Sequence, residues 1–427
     1  MKVFRSILCL ELKVLFRSSI FKYSAVFFFI IGSYSIFVGK TVINEQINTI
    51  EKAKALSNEK FEKLKSTINQ DTLPNVVGNR LSRLVYNKPT SLAALSIGQS
   101  DLLPFFIDLK YFALTRQILI AQPTNPEKLL VGNIDLSFVF IQLLPLFMIA
   151  LGYNLLASEK ETGTLSVLLS FPITKMQLIT YRVFFRILIS LLLAFFLIAS
   201  AAAVIKIPIN YSICNWTFIV FCYILFWGLV LFVANLLIES SSSVAITLLA
   251  VWLFLVVLVP TGVNIYISAK YPSSSKSDLT QTIRHEYEQI WQRYDDPQYR
   301  FQIAEQFGQK YPAYRSDTSY NWSDKYMLAQ FDNYDQILDP FFVKYKRDIS
   351  NRDRIVSSVS FLNPVMFVQN SLNKIAKTDI QSYLIYQEEI KSYHSELKKF
   401  FYLKIFSNQI FKRSDFDSIP VFVPTAY

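Results

Sequence analysis

Three cysteines and two histidines in 427 residues leave little material for redox or metal chemistry. Cys9, Cys214 and Cys222 form no CxxC pair and no spacing that suggests a disulfide framework. His285-Glu286-Tyr287-Glu288-Gln289 starts like the zinc motif HExxH but ends in glutamine, so one helix-face ligand is lacking. His394 is the other candidate ligand; without it, His285 is an ordinary helix-surface residue. A complete phosphate-binding loop is also lacking. Gly39-Lys40-Thr41 matches the end of that pattern, but the position of its first glycine is Tyr34, and Gly32 comes too early. No GxSxG elbow occurs. No fixed-period repeat occurs, and low complexity is limited to short serine runs. These gaps exclude a recognisable catalytic centre, and no metal and no cofactor is expected.

What the chain has is apolar surface. It is 52% hydrophobic and 15% aromatic, with a mean hydropathy of +0.30. Those values point to a mainly α, polytopic membrane protein with large water-exposed parts. A crossing helix needs about 20 mostly apolar residues. Five segments satisfy that: 21–38, 136–157, 184–205, 217–238 and 244–266. The first is read as a retained anchor, because no small-residue cleavage pattern follows Val38. Charges avoid the centres of these runs; Asp135, Arg182, Arg186 and Glu239 stand at their ends. That argues against a proton relay or charged ion path, and gives Asp135 the simplest role of an interfacial anchor. Pro145 and Pro260 fall inside apolar runs, as tolerated kinks or as hinges.

The formal net charge of +11 has a membrane explanation rather than a nucleic-acid one. Lys2, Arg5, Lys13, Arg17 and Lys22 precede the first run, and Lys160, Lys175, Arg182 and Arg186 lie between the second and third. Short basic loops stay in the cytoplasm, and both clusters agree on an inside N-terminus. On that count 1–20 is an amphipathic cytoplasmic surface helix, 39–135 a first extracytoplasmic region and 267–427 a second. Both are expected to be largely helical. The second is rich in Tyr and Trp, including Tyr287, Trp291, Tyr294, Tyr299, Tyr311, Tyr314, Tyr320, Trp322 and Tyr326. They suit either ordinary helix packing or a carbohydrate- or peptide-binding face. Phe361–Ile380 is a poor span, given Pro364, Lys374 and Lys377.

The polar segment 158–183 carries the most specific signal. Glu159, Glu161, Gly163, Thr164 and Leu165, then Ser170-Phe171-Pro172 and Lys175–Arg182, resemble the signature region of ABC-2-type permeases, the membrane subunits of ATP-binding-cassette exporters. Thr162 or Thr164 is placed to cap a helix start, and Gly163 to allow a tight turn. Thr90–Asp101, Asn125–Phe138, Phe361–Pro364 and Leu372–Asp379 are similar to a branch with two large extracytoplasmic regions. The resemblance implies a subunit without enzymatic activity of its own, driven by a separate cytoplasmic ATPase. It also implies a second permease subunit, identical or not, and residence in the cytoplasmic (inner) membrane. Glu159, Glu161, Gly163, Thr164, Leu165 and Pro172 would then be the ATPase-coupling residues. Export or mechanical transmission would follow. The alternative is a membrane-anchored extracytoplasmic binding or assembly protein. Permeases of this type end in a sixth span, so the expectation is either such a span beyond Tyr427 or a five-span chain with its C-terminus outside.

Overall fold

The computed structural model describes residues 11, 13–68, 72–120, 134–170, 173–271, 276–293, 295–312 and 322–424. Within them the chain is mainly α-helical. Four helices are long and apolar enough to cross a membrane, and a shorter apolar helix packs among them. Residues 1–10 and 12, most of the expected surface helix, lie outside the described residues.

Helix α1 (Ser19–Thr67) is 49 residues long, about 74 Å against a bilayer core of about 30 Å. The expected span 21–38 is only its first part. Neither proline nor glycine interrupts Lys40–Thr67, so the backbone runs on where its surroundings change. Gly39 marks that change: a Cβ there would stand 1.9 Å from the Ala94 carbonyl oxygen. Only glycine lets the loop carrying Ala93 and Ala94 lie against the helix. Beyond it, α2 (Pro74–Arg80), the antiparallel pair β1 (Arg83–Tyr86) and β2 (Phe106–Leu109), and α3 (Leu114–Ile120) complete the first region.

The second apolar run is shorter as a helix than its 136–157 span suggests. Helix α4 (Leu136–Gly152) stops at Gly152 and gives way to a turn. The carbonyls at this end are taken by side chains from neighbours: Leu151 by Arg186 Nε (2.9 Å), Gly152 by Asn235 Nδ2 (2.8 Å) and Leu155 by Arg182. Cationic donors at a helix C-terminus satisfy its orphan carbonyls and its dipole together. Two short helices follow, α5 (Ala157–Glu161) and α6 (Leu165–Leu168).

Helix α7 (Lys175–Ile205) is continuous, so the expected interfacial piece Lys175–Arg182 and span 184–205 are one helix. A capping box of Thr174 and Gln177 starts it, and no breaker follows until Lys206 adopts the left-handed conformation. Helices α8 (Tyr211–Leu237) and α9 (Ser241–Lys270) also begin before their apolar runs, capped by Asn210 and Ser240. We call the end of this bundle that carries Ser19, Lys175 and Ser241 the near end, and the other the far end.

Both prolines follow a widened, π-helical turn: Val139–Leu143 before Pro145 and Phe254–Leu258 before Pro260. The wider turn removes the clash of the ring with the preceding turn but leaves carbonyls without helical donors. Side chains supply them. Tyr223 Oη donates to Ile141 O (2.8 Å), Trp252 Nε1 to Gln142 O (3.1 Å) and Asn363 Nδ2 to Leu255 O (2.9 Å). Each widened turn is therefore bridged by a side chain from a neighbouring segment, which satisfies carbonyls that the proline leaves without a helical donor.

The second region comprises α10 (Lys276–Gln292), α11 (Pro297–Lys310), α12 (Trp322–Ser360), α13 (Pro364–Ala376) and α14 (Ile380–Phe406). Its aromatics pack inward and against the first region. Phe112 stacks on Phe331 at 4.2 Å, Tyr287 meets Tyr334, and Phe307, Tyr311, Tyr402 and Phe406 form one cluster. Ordinary packing accounts for Tyr287, Tyr299, Tyr311 and Tyr326; Tyr294, Tyr314 and Tyr320 lie outside the described residues.

Candidate functional site

The polar segment between α4 and α7 is tied to three of its neighbours. Glu159 Oε1 lies 2.7 Å from Arg182 Nη2. Arg182 Nε also faces Glu11 Oε1 at 2.9 Å, and Arg186 Nη2 faces Glu11 Oε2 at 3.1 Å. Two carboxylates and two guanidinium groups thus form a neutral, largely buried cluster, in which the guanidinium groups also donate to carbonyls of α4 and the turn after it. Lys160 Nζ reaches Glu239 Oε1 at 2.8 Å, and Glu161 Oε1 accepts the Ser241 backbone N–H at 2.8 Å. The hydrogen bond and charge of Lys160 hold the exposed Glu239 carboxyl below its ordinary range. Glu161 places a carboxylate at the N-terminus of α9, where orphan N–H groups and the dipole favour it.

The two glutamates are therefore engaged within the chain, and Glu159 is not a free charge. Sequence spacing brings out Glu159 and Glu161 but misses Glu11, whose partners are far away in sequence. Gly163 makes the expected turn at φ +72°, with open space around it, so its backbone angle rather than crowding demands glycine. The expected caps do not form. Thr164 stands at the start of α6 without a side-chain cap, and the Thr162 and Thr164 hydroxyls turn back towards the Glu159 carbonyl. Leu165 and Leu168 pack on Leu155, Leu156, Leu178, Ile179 and Val183. Val167, 63% exposed, and Leu169 remain uncovered beside the exposed Thr162–Thr164 turn. Phe171 and Pro172 lie outside the described residues.

At the far end, segments separated widely in sequence meet. Asp135 Oδ1 caps α4 by accepting Phe138 N–H (2.7 Å), and its Oδ2 accepts Ile97 N–H (2.8 Å). Burial pushes its carboxyl up to about 6, against the pull of those two backbone donors and with Asp101 adding to the rise. Ser137 donates through both N and Oγ to Leu95 O (2.9 and 3.0 Å). Ser96 Oγ bonds Asn373 Oδ1 (2.6 Å), Gln99 N–H bonds Thr378 O (3.2 Å) and Thr90 Oγ1 bonds Ala376 O (2.7 Å). Leu95–Asp101, Ile134–Phe138 and Leu372–Asp379 thus form one junction joining the bundle to both outlying regions. A cavity of about 190 Å³ opens beside it, lined in part by Gln46, Lys88, Thr90, Lys374 and Lys377.

Two further titratable groups are buried in the second region. Asp332 is held by Lys310 and Lys398, each at 2.8 Å. Burial raises its carboxyl, but the two ammonium groups outweigh that and leave it below its ordinary range. Burial, with Lys398 nearby, drives the His394 imidazole down to about 3. His285 contacts Gln289 on an exposed face of α10. No group of three His, Cys, Asp or Glu able to hold a metal ion occurs among the described residues.

Comparison with known proteins adds one similarity: residues 280–425 match the family described as "Domain of unknown function (DUF3526)". Neither a curated protein nor a solved structure matches the chain. What is established is a mainly α-helical membrane protein whose second region, from α10 onwards, is similar to that family.

Proposed function

We propose that this chain is the membrane subunit of an ATP-binding-cassette transporter of the ABC-2 type, powered by a separate cytoplasmic ATPase. The near end then faces the cytoplasm, in line with its basic residues, and the two outlying regions face outward from the cytoplasmic membrane. A second permease subunit completes the pair of membrane halves. The observation that carries this reading is the attachment of the Ala157–Ser170 segment. One side of it is exposed, and the other is tied to α7 through Glu159–Arg182, to the α8–α9 link through Lys160–Glu239, and to α9 through Glu161–Ser241. A load on Thr162–Leu169 therefore reaches several crossing helices, which lead on to the far-end junction. Export, or mechanical work on an outer partner, is the activity such an arrangement supports.

The test is co-purification with the cognate ATPase. Val167→Glu with Leu169→Glu is expected to abolish capture of the ATPase while the chain stays membrane-inserted and monodisperse. Glu161→Lys with Gly163→Pro is expected to do the same. Unchanged capture by both variants removes the docking assignment and favours the membrane-anchored binding or assembly protein.

A further inference from the structure

The cavity of about 190 Å³ beside the far-end junction takes its wall from α1, from the loops that follow β1 and precede β2, and from the end of α13 with the start of α14. Lys88, Lys374 and Lys377 bring three ammonium groups to it, against the single carboxylate of Asp379. That carboxylate already accepts a hydrogen bond from Ser382 Oγ. Other polar side chains of the wall are also engaged. Thr90 Oγ1 donates to Ala376 O, Ser100 Oγ to Ile97 O and Gln46 Nε2 to Ser100 O. No ion pair joins Lys88 or Lys374 to an acidic side chain among the described residues. The cavity therefore holds a surplus of positive charge.

Exposed lysines are ordinarily solvated, and cations near a helix C-terminus need no ligand. Lys377 goes beyond that. It closes α13 at φ +59°, a left-handed position where glycine avoids the strain. Burial also lowers its ammonium group below the ordinary lysine range. An anion in the cavity would offset that burial.

The level of the cavity narrows the choice of anion. Ala93, in its wall, packs with Ile43 and Ala94 against Ile205, the last residue of α7. Gly39, just past the first apolar run, lies against Ala94. Gln46, also in the wall, stands roughly 10 Å further along α1 than Gly39. The polar layer outside the hydrocarbon of a bilayer is about 5–8 Å deep on each side. Where α1 and α7 cross a membrane, the cavity sits at the level of the lipid headgroups.

We propose that this cavity binds the phosphate group of an anionic lipid headgroup through Lys88, Lys374 and Lys377. Free phosphate shares that chemistry, but the apolar part of the wall, including Leu103, Phe105 and Ile385, suits an esterified group better. A lipid held there bridges the first region to the second at the membrane surface. The proposal needs α1 and α7 to be spans and does not need the transporter reading.

The test uses the full-length chain in a neutral detergent at low ionic strength, where exposed charges are least screened. Native mass spectrometry counts retained phosphatidylglycerol and phosphatidylcholine, and the thermal midpoint reports binding of inorganic phosphate. Lys88→Gln with Lys374→Gln and Lys377→Asn removes the three charges; asparagine tolerates the left-handed backbone. Lys52→Gln with Lys54→Gln and Lys63→Gln removes as much charge from the exposed face of α1. The parent chain and the α1 variant are expected to retain phosphatidylglycerol in several-fold excess over phosphatidylcholine, and the cavity variant to lose that excess. Lys88→Gln alone, in the exposed loop after β1, is expected to remove part of it, and replaces the triple variant if that is not monodisperse. Retention that falls equally in the cavity and α1 variants, or in neither, overturns the site. A parent chain that neither prefers phosphatidylglycerol nor is stabilised by inorganic phosphate overturns it as well. Stabilisation by inorganic phosphate that needs the three lysines, without lipid retention, keeps a phosphate site and overturns the headgroup.

Discussion

At the near end of the bundle, helices are joined without large insertions and fixed in part by ionised side chains; at the far end α7 and α8 are joined by the short link 206–210, but the other connections are long and held mainly by aromatic packing and buried amide contacts. The polar ties of the near-end segment are few, so a single substitution disturbs a large share of them, with the packing of Leu165 and Leu168 beside them. The far-end ties are spread over clusters around Tyr111, Phe307 and Phe401, where a lost contact is shared among neighbours. One end is suited to receiving a force at defined points, the other to holding a large structure together.

The sharpest break in this comparison is expected at Glu11. Its carboxylate faces both Arg182 and Arg186, and it is almost fully buried. Glu11→Ala leaves two guanidinium groups close together with only Glu159 to balance them. Removing one partner from a buried ion cluster destabilises by about 3–5 kcal/mol, read as a fall in thermal midpoint in detergent. Asp332→Ala at the far end removes a carboxylate held by Lys310 and Lys398. Lys310 keeps access to solvent and can be hydrated, so a smaller loss is expected. A larger loss at Asp332 than at Glu11 breaks the contrast.

The second region is expected to show a pH dependence of its own. Burial lifts the Asp335 carboxyl from 3.8 to about 6, although Lys398 and the Thr115 backbone N–H oppose it. The folded state therefore holds this proton up to about pH 6, whereas the unfolded chain releases it near pH 3.8. This group favours folding below about pH 4, and that advantage disappears as the pH rises through 6. His394 acts in the opposite direction: its folded value of about 3 lies below the usual 6.5, so stability falls as the pH drops from 6.5 towards 3. Asp335→Asn keeps the shape and removes the carboxylate. At pH 7 it is expected to raise stability by about 2–3 kcal/mol, because each tenfold change in proton affinity is worth about 1.36 kcal/mol. It should also leave a steeper loss on acidification, because His394 is then opposed by Asp135 but no longer by Asp335. A melt series from about pH 4 to pH 7 checks this; no gain at the neutral end contradicts it.

Gly163 tests the near end more gently. Its φ of +72° lies in the left-handed region, with nothing near a would-be Cβ. Gly163→Ala should therefore cost only the backbone term, about 1 kcal/mol, and Gly163→Asn less, because asparagine tolerates that region better. Hydrogen exchange confined to Ala157–Leu168 is the readout. A loss that spreads along α7 shows that the turn carries more of the bundle than its open surroundings suggest.

Much of this contrast was legible in the sequence, and what was hidden has a common cause. The apolar runs located the crossing helices because length and composition alone set that requirement. Their ends were displaced wherever tertiary contacts decided the boundary. Arg182, Arg186 and Asn235 stop α4 early, and α1 simply has no breaker after Gly39. The Glu159–Leu165 segment stood out by its spacing, yet the partners of its charges, Arg182, Glu239 and the Ser241 amide, follow only from the fold. The far-end junction was visible only as three separate stretches, since nothing local in Ser96 or Asp135 announces Asn373 or Ile97. The packing of the turn between α12 and α13 on the bundle escaped for the same reason: Lys374 and Lys377 rule out a span, and such a contact leaves no periodic trace.

The smallest expected effect concerns the most exposed near-end tie. Lys160 and Glu239 meet at 2.8 Å, but Glu239 is open to solvent, where screening and side-chain entropy cancel most of the attraction. Lys160→Ala should leave the melting temperature unresolved from that of the parent chain, at low salt as at high. If the near end receives force, however, the same substitution removes one of the ties between the exposed segment and the rest of the bundle. Its effect should then appear in ATPase coupling in a reconstituted complex, and it should be weaker than that of Glu161→Ala, which removes the acceptor of the Ser241 N–H. A change in stability without a change in coupling inverts both statements: the tie would be structural, and the load would enter through Glu159 and Arg182 alone.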